Sequence, residues 1–219
     1  MTRQRLSRGK PVLASEPDLP VVYKRAIERA LRWAWSEVCR LHPEIVRDGS
    51  EEEITERIEW MLNKQVRGER SAPGLRLFDA VARGAKQRTS DNRIEKAPDL
   101  VLRPPVHRAV RNRSHWGMFI ECKIIDGGAS VTRYCREGVQ RFTSGEYCAR
   151  MQTGLLLAYA RDDQRPYAAL ARPLGAYGTT QHDERRGAQD VSDSTHARDA
   201  LPQPCVDIAL IHLWLTPRE

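Results

Sequence analysis

The chain has 219 residues, of which 40% are hydrophobic and 30% are charged, a balance typical of one folded domain. No apolar run approaches the roughly 18–20 residues of a membrane helix, and no apolar stretch of a signal peptide follows the basic first ten residues. Five widely spaced cysteines without a CxxC pair argue against a zinc site and against a disulfide scaffold. We therefore expect a cytoplasmic protein without a membrane segment.

The net charge of +7 favours a polyanionic partner. Most of the 36 basic residues are arginines, which make bidentate phosphate contacts more readily than lysines do. A GC-rich genome would also enrich arginine in every protein. The charge alone therefore only favours nucleic acid as the partner.

Two helices are predicted in the first third of the chain. Residues 1–19 are polar and basic and are predicted to form a flexible arm. Apolar residues at helical spacing then predict a helix from Pro20 to about Leu41, within an N-terminal segment of residues 20–47. The turn at residues 48–50 offers an N-cap, and three acidic residues follow it, so a second helix is predicted over residues 51–66.

The rest of the chain alternates between strand-like and helical segments. A weak strand is predicted around residues 75–81, and clearer strands over 98–104, 116–125, 154–160 and 206–215. Residues 130–150 are predicted to be helical, and the unbroken apolar run at 154–160 is typical of a buried parallel strand. Residues 175–204 are polar and are predicted to form a long loop or insertion. This order predicts an α/β fold with a mixed central sheet flanked by helices.

One group of charged residues falls inside the predicted strands. Asp99 lies in one strand and Glu121 and Lys123 lie in the next, where alternation puts Glu121 and Lys123 on one face and Cys122 on the other. Adjacent strands would bring two carboxylates and an ammonium together, which suits a magnesium ion and phosphodiester hydrolysis. The spacing alone is expected by chance, but a charged pair inside a buried strand needs a reason. The alternative is a strand edge at which Glu121 and Lys123 face solvent.

These segments resemble a known family. APDLVL followed by FIECKII resembles the core of the PD-(D/E)XK, or restriction-endonuclease-like, nuclease superfamily. The EEEIT helix resembles the helix before that core, and the segment from Tyr134 to Ala160 resembles the helix and strand after it. The stretch from Arg141 to Tyr147 resembles a subgroup of small prokaryotic nucleases that defend against phage. The resemblance covers about residues 51–160 and implies a nuclease domain of residues 48–219 with an added N-terminal helix.

The resemblance also implies roles for individual residues. Asp99, Glu121 and the backbone carbonyl of Cys122 would hold Mg²⁺, for which Mn²⁺ would substitute. Lys123 would position and activate the attacking water. Glu51 is assigned to the acidic position of the preceding helix.

Other residues are candidates with an equally good structural explanation. Glu51 is preferred because it lies on the apolar face of its helix, and Glu53 is the fallback. Gln140 or Arg141 would touch a phosphate or brace the site, or would be ordinary surface residues. The basic connection between two strands would line a DNA path or form a solvated loop; its candidates are Arg108, Arg111 and Arg113.

Two histidine-containing segments are alternative candidates for a catalytic or metal site. His212 lies in an apolar strand, where a hydrogen-bonded core histidine is the commoner explanation. Ser194, His196 and Asp199 include the residue types of a hydrolase triad, but no nucleophile elbow G-x-S-x-G occurs in the chain. We therefore expect neither segment to carry the chemistry.

The residues thus predict a magnesium-dependent DNA endonuclease, and the resemblance implies that it serves as the effector of a prokaryotic anti-phage defence system. RNA is not excluded as a substrate. The alternative is a gated or inactive subunit of the same fold, which binds DNA and a partner ATPase or helicase, or self-associates, without cutting alone. Its docking surface is expected on the first helix, at Trp33 and Trp35.

Overall fold

A computed structural model gives the fold and describes residues 15–68, 75–84, 97–105, 108–146, 148–162, 164–198, 201 and 204–217. The helices are α1 (Val21–Leu41), α2 (Pro43–Asp48), α3 (Glu51–Val66), α4 (Gly128–Arg133), a π-helix (Tyr134–Val139), α5 (Gln140–Thr143) and α6 (Pro166–Leu170). The strands are β1 (Ala82–Arg83), β2 (Leu100–Leu102), β3 (Met118–Ile125), β4 (Thr153–Ala160), β5 (Thr179–Glu184), β6 (Val191–Ala197) and β7 (Asp207–Leu215). Short 3₁₀ turns lie at Arg113–His115 and Pro173–Tyr177.

The seven strands form one open sheet in the order β1-β2-β3-β4-β7-β6-β5. β3, β4 and β7 run parallel at its centre, and the outer strands are antiparallel. β4 is buried along its whole length, because β3 and β7 pair with its edges and the helices cover both of its faces, through Tyr159 on one face and Leu156 on the other. The predicted α/β class, with a mixed sheet flanked by helices and a buried parallel strand near residue 154, is confirmed.

The two long N-terminal helices pack near β4. The Trp35 ring of α1 stacks on Tyr159 of β4, with 5.5 Å between ring centroids, and Thr55 Oγ1 of α3 lies 3.1 Å from the Tyr159 hydroxyl. A capping box between Ser50 and Glu53 begins α3, as the sequence predicts. Among the described residues, no helix combines enough length with enough apolar character to span a bilayer.

The prediction of a long loop at residues 175–204 is wrong. Two strands, β5 and β6, lie within this segment and extend the sheet beyond β7. β5 is the polar, solvent-exposed edge, and the buried positions of β6 include Ser192, Ser194 and His196. The segment therefore has a polar, loop-like composition although both of its strands belong to the sheet.

The N-terminal arm also needs correction where it is described. Residues 1–14 lie outside the described part of the chain, but residues 15–19 pack against the domain. Leu19 is buried, and the buried Glu16 carboxylate accepts hydrogen bonds from the Arg111 and Asn112 amides at 2.7 and 3.0 Å. Pro17 O accepts a hydrogen bond from the Trp116 indole at 3.0 Å. These five residues are therefore part of the fold.

Two element predictions differ in position. No strand forms at residues 75–81, where a weak one is expected; the two-residue β1 begins directly after them, at Ala82. The helix expected to reach residue 150 ends at Thr143 and includes a π-helical segment. Tyr147, which closes the family-like stretch, lies outside the described residues.

Candidate active site

Asp99 and Glu121 meet where β2 pairs with β3. Leu100 lies opposite Ile120 in this antiparallel ladder, and one further step in the same register sets Asp99 opposite Glu121. Directly opposed residues in an antiparallel pair project from the same face. Asp99 Oδ2 also accepts a hydrogen bond from the Cys122 amide at 2.7 Å. The two predicted carboxylates are therefore neighbours.

Glu51 reaches the same place from the first turn of α3. Its Oε1 lies 2.8 Å from Lys123 Nζ, and its Oε2 accepts a hydrogen bond from the Ile124 amide at 3.4 Å. β3 continues past the end of its pairing with β2, so its later amides have no partner in β2. Asp99 and Glu51 accept hydrogen bonds from two of these amides, those of Cys122 and Ile124. The fallback Glu53 instead closes the capping box with Ser50.

Lys123 lies between these carboxylates. Its ammonium is 3.0 Å from Glu121 Oε1 and donates a hydrogen bond to the Cys122 carbonyl at 2.7 Å. Glu121 is fully buried and also forms an ion pair with Arg141. The alternative in which Glu121 and Lys123 face solvent at a strand edge is wrong, because both side chains are buried. Of Gln140 and Arg141, it is Arg141 that touches the cluster, while Gln140 is exposed.

The charges of this cluster are strongly coupled. Burial by itself lowers the pKa of Lys123, but the negative charges of Glu121 and Glu51 outweigh it and hold that pKa above its usual value. The Lys123 side chain is therefore an ammonium at neutral pH, which carries a positive charge and donates hydrogen bonds. The formal charges of these five described residues, three carboxylates and two cations (Glu51, Asp99, Glu121, Lys123 and Arg141), sum to −1.

The helix that carries Arg141 has an unusual backbone. Residues 134–139 form a π-helix between α4 and α5, a feature that is rare and often found at functional sites. Gly138 in this segment lies against β4: a Cβ there would be 2.6 Å from Leu156 Cδ2 and 3.9 Å from Glu121 Cγ. Glycine thus permits the close approach that brings Arg141 to Glu121. This role of Gly138 is not predicted from the sequence.

The cluster supplies oxygen ligands of the kind that magnesium takes. The Asp99 and Glu121 carboxylates and the Cys122 carbonyl are hard donors, and magnesium is commonly held by one or two carboxylates together with waters and substrate phosphate. Among the described residues, no three His, Cys, Asp or Glu side chains form a group that could hold a metal ion. The donor set therefore fits magnesium in chemistry, but only with substrate or water completing the ligands.

The arginines of the basic connection do not join the cluster. Arg108, Arg111 and Arg113 are exposed, and Arg113 forms an ion pair with Asp79. No hydrogen bond or ion pair between described residues links these three arginines to Glu121 or its neighbours. Their assignment to a DNA path stays a prediction.

The histidine segments form a buried hydrogen-bond chain. Ser194 Oγ lies 2.6 Å from His196 Nε2 and 2.7 Å from His212 Nε2. His212 Nδ1 is 2.8 Å from the Tyr134 hydroxyl, and His196 Nδ1 is 2.9 Å from the Tyr177 carbonyl. Burial lowers the pKa of both imidazoles, so both rings are neutral. As expected, these are hydrogen-bonded core residues; Asp199 lies outside the described residues.

The expected docking surface at the two tryptophans of α1 is corrected in part. Trp35 is buried, stacks on Tyr159 and donates its indole hydrogen to the Thr216 carbonyl at 2.9 Å. It is a core residue and is not accessible to a partner. Trp33 is partly buried and lines a shallow cleft beside Cys39.

Comparison with known proteins found no family model, no curated protein and no solved structure that matches this chain. The function of the chain therefore rests on the geometry of one cluster, formed by Glu51, Asp99, Glu121, Lys123 and Arg141. These residues come from α3, the position just before β2, β3 and α5, and they meet at one end of the β2–β3 pairing.

Proposed function

We propose that this chain is a metal-dependent nuclease with a restriction-endonuclease-like core, which hydrolyses DNA phosphodiester bonds as the effector of a prokaryotic anti-phage defence system. One observation carries the proposal. The four residues assigned from the family resemblance meet in one place: Glu51 and Glu121 contact the Lys123 ammonium, and Asp99 binds the adjacent Cys122 amide, although Glu51 and Lys123 are 72 positions apart.

The cluster divides the work of hydrolysis among its members. Asp99, Glu121 and the Cys122 carbonyl would hold Mg²⁺, which when bound polarises a phosphoryl oxygen and lowers the pKa of a water. The Lys123 ammonium, fixed by two carboxylates, is placed to orient the attacking water and to stabilise negative charge on the phosphoryl group. Arg141 holds the buried Glu121 carboxylate in one orientation.

A cleavage assay tests the proposal. Plasmid and single-stranded DNA are incubated with the protein in Mg²⁺, in Mn²⁺ and in EDTA, and Lys123→Ala is compared with the wild type. Lys64→Ala is a matched control, because it also removes one lysine charge. Lys64 lies in α3 with its ammonium over the Trp60 ring, outside the cluster. We expect metal-dependent cutting by the wild type and by Lys64→Ala, and none by Lys123→Ala. Far-UV circular dichroism checks that each variant is folded.

Unchanged cutting by Lys123→Ala would refute the role of the cluster. Cutting that persists in EDTA would refute the requirement for metal. Repeating the assay with RNA decides the substrate, because nothing in the cluster distinguishes a ribose from a deoxyribose.

A second candidate is a subunit of the same fold that binds DNA and a partner ATPase or helicase, or self-associates, without cutting alone. It is favoured by the two cations, Lys123 and Arg141, that already compensate the buried Glu121 carboxylate. DNA retained in a gel shift, with no cutting in either metal, would support this candidate. Light scattering and a pull-down would then identify the assembly.

A further inference from the structure

A second cleft lies at the end of the sheet where β7 finishes and β6 begins. Its volume is about 780 Å³, and it shares no residue with the acidic cluster. Its walls come from one side of α1, from residues 164–166, from residues 187–190 between β5 and β6, and from Trp214 and Thr216. A cleft of this size is in the range that accepts a small ligand.

The acidic residues of this cleft are already compensated. Glu28 is buried and lies 3.4 Å from Arg25 and 3.6 Å from Arg32, and it also forms an ion pair with Arg185. Asp190 binds Arg32 through two hydrogen bonds, of 2.6 and 3.1 Å. These contacts hold Arg32 in place and leave little negative charge in the wall.

Two further arginines of the cleft have no such partner. Arg29 and Arg165 are exposed, and neither guanidinium group forms a hydrogen bond or an ion pair with another described residue. Guanidinium groups bind phosphate oxygens with paired hydrogen bonds, and two unpaired positive charges match the charge of one phosphate monoester. Pro166 and Trp214 also line the cleft but are themselves buried, so a ligand would be held mainly by the polar and charged residues of the wall.

We propose that this cleft binds a small molecule that carries a phosphate monoester and has the size of a nucleoside monophosphate. Arg29 and Arg165 bind the phosphate, and Arg32 lies beside them, fixed by Asp190. The proposal does not rest on the nuclease function, because none of these residues belongs to the acidic cluster.

Calorimetric titration of the full-length protein tests the proposal, with AMP, adenosine and inorganic phosphate as probes. We expect the wild type to bind AMP, to bind phosphate more weakly and not to bind adenosine. The double variant Arg29→Ala/Arg165→Ala should bind AMP at least about tenfold more weakly, because two charged hydrogen-bond donors are lost. The control Arg133→Ala/Arg172→Ala removes the same charge from exposed sites outside the cleft and should change binding by less than about twofold.

Three results would overturn the proposal. They are absence of AMP binding at millimolar concentration, equal weakening in both double variants, and adenosine binding as tight as that of AMP. If a short single-stranded oligonucleotide binds through Arg29 and Arg165 while AMP does not, the cleft is a nucleic-acid contact and the proposal is wrong. Both altered pairs are exposed, so a failure to fold is not expected to obscure the comparison.

Discussion

Replacing Ser194 with alanine should destabilise the protein by about 2–6 kcal/mol. The Tyr177 carbonyl can only accept, so His196 Nδ1 carries a hydrogen and its Nε2 accepts the Ser194 hydroxyl proton. Ser194 must then accept from His212 Nε2, whose ring in turn accepts from the Tyr134 hydroxyl. Alanine leaves one buried donor and one buried acceptor unpaired, at about 1–3 kcal/mol each.

Urea unfolding followed by circular dichroism measures this loss, provided that the denaturant dependence of the free energy of unfolding is unchanged. Ser192→Ala is the matched control, because Ser192 is equally buried in the same strand. Its hydroxyl lies 3.2 Å from His182, a half-buried residue that can turn to water, so we expect a loss below about 1 kcal/mol. If Ser194→Ala costs no more than Ser192→Ala, the proposed chain of hydrogen bonds is refuted.

Three more predictions concern the core and the acidic cluster. Burial lowers the pKa of His196 and His212 in the folded state, so the unfolded chain binds more protons than the folded chain below about pH 6.5. The free energy of unfolding is therefore highest above that pH and falls on acidification, by at most about 1.4 kcal/mol per pH unit for each histidine. Urea unfolding midpoints between pH 7.5 and pH 5 should show this decrease. Gly138→Ala should cost about 1–3 kcal/mol in the same urea assay, since its Cβ would lie 2.6 Å from Leu156 Cδ2. Mg²⁺ at about ten times its dissociation constant should stabilise the wild type by about 1.4 kcal/mol in thermal unfolding, and Glu121→Gln should lose this gain; equal stabilisation of both would place the metal elsewhere.

The elements that the sequence predicts correctly have local signals. α3 begins at a serine followed three residues later by a glutamate, and both side chains make the reciprocal contacts that this pattern predicts. β4 is an unbroken apolar run, which identifies it as buried on both faces. The pairing of Asp99 with Glu121 could be predicted because successive strands usually lie side by side.

The features that the sequence analysis missed depend on contacts between distant residues. The inner face of β6 carries Ser194 and His196, whose polarity suggests solvent exposure in the sequence. Both are buried in the fold, where Ser194 pairs with His212 of β7 and His196 with the Tyr177 carbonyl of the 3₁₀ turn. The π-helix has no pattern of its own in the sequence. Only the packing of Gly138 against Leu156 explains why a glycine stands inside this helix.

The charge balance of the acidic cluster favours the metal-dependent nuclease over the subunit that only binds DNA. Replacing buried ion pairs by apolar side chains is often neutral or stabilising, so a cluster that served only to hold β3 in place would gain little from five charged groups. These groups carry one net negative charge, with the Glu121 carboxylate fully buried among them. A DNA phosphate placed beside that charge would be repelled unless a cation lay between them. A bound Mg²⁺ would remove this repulsion, and it would also supply the Lewis acid that polarises the phosphoryl oxygen in the proposed hydrolysis.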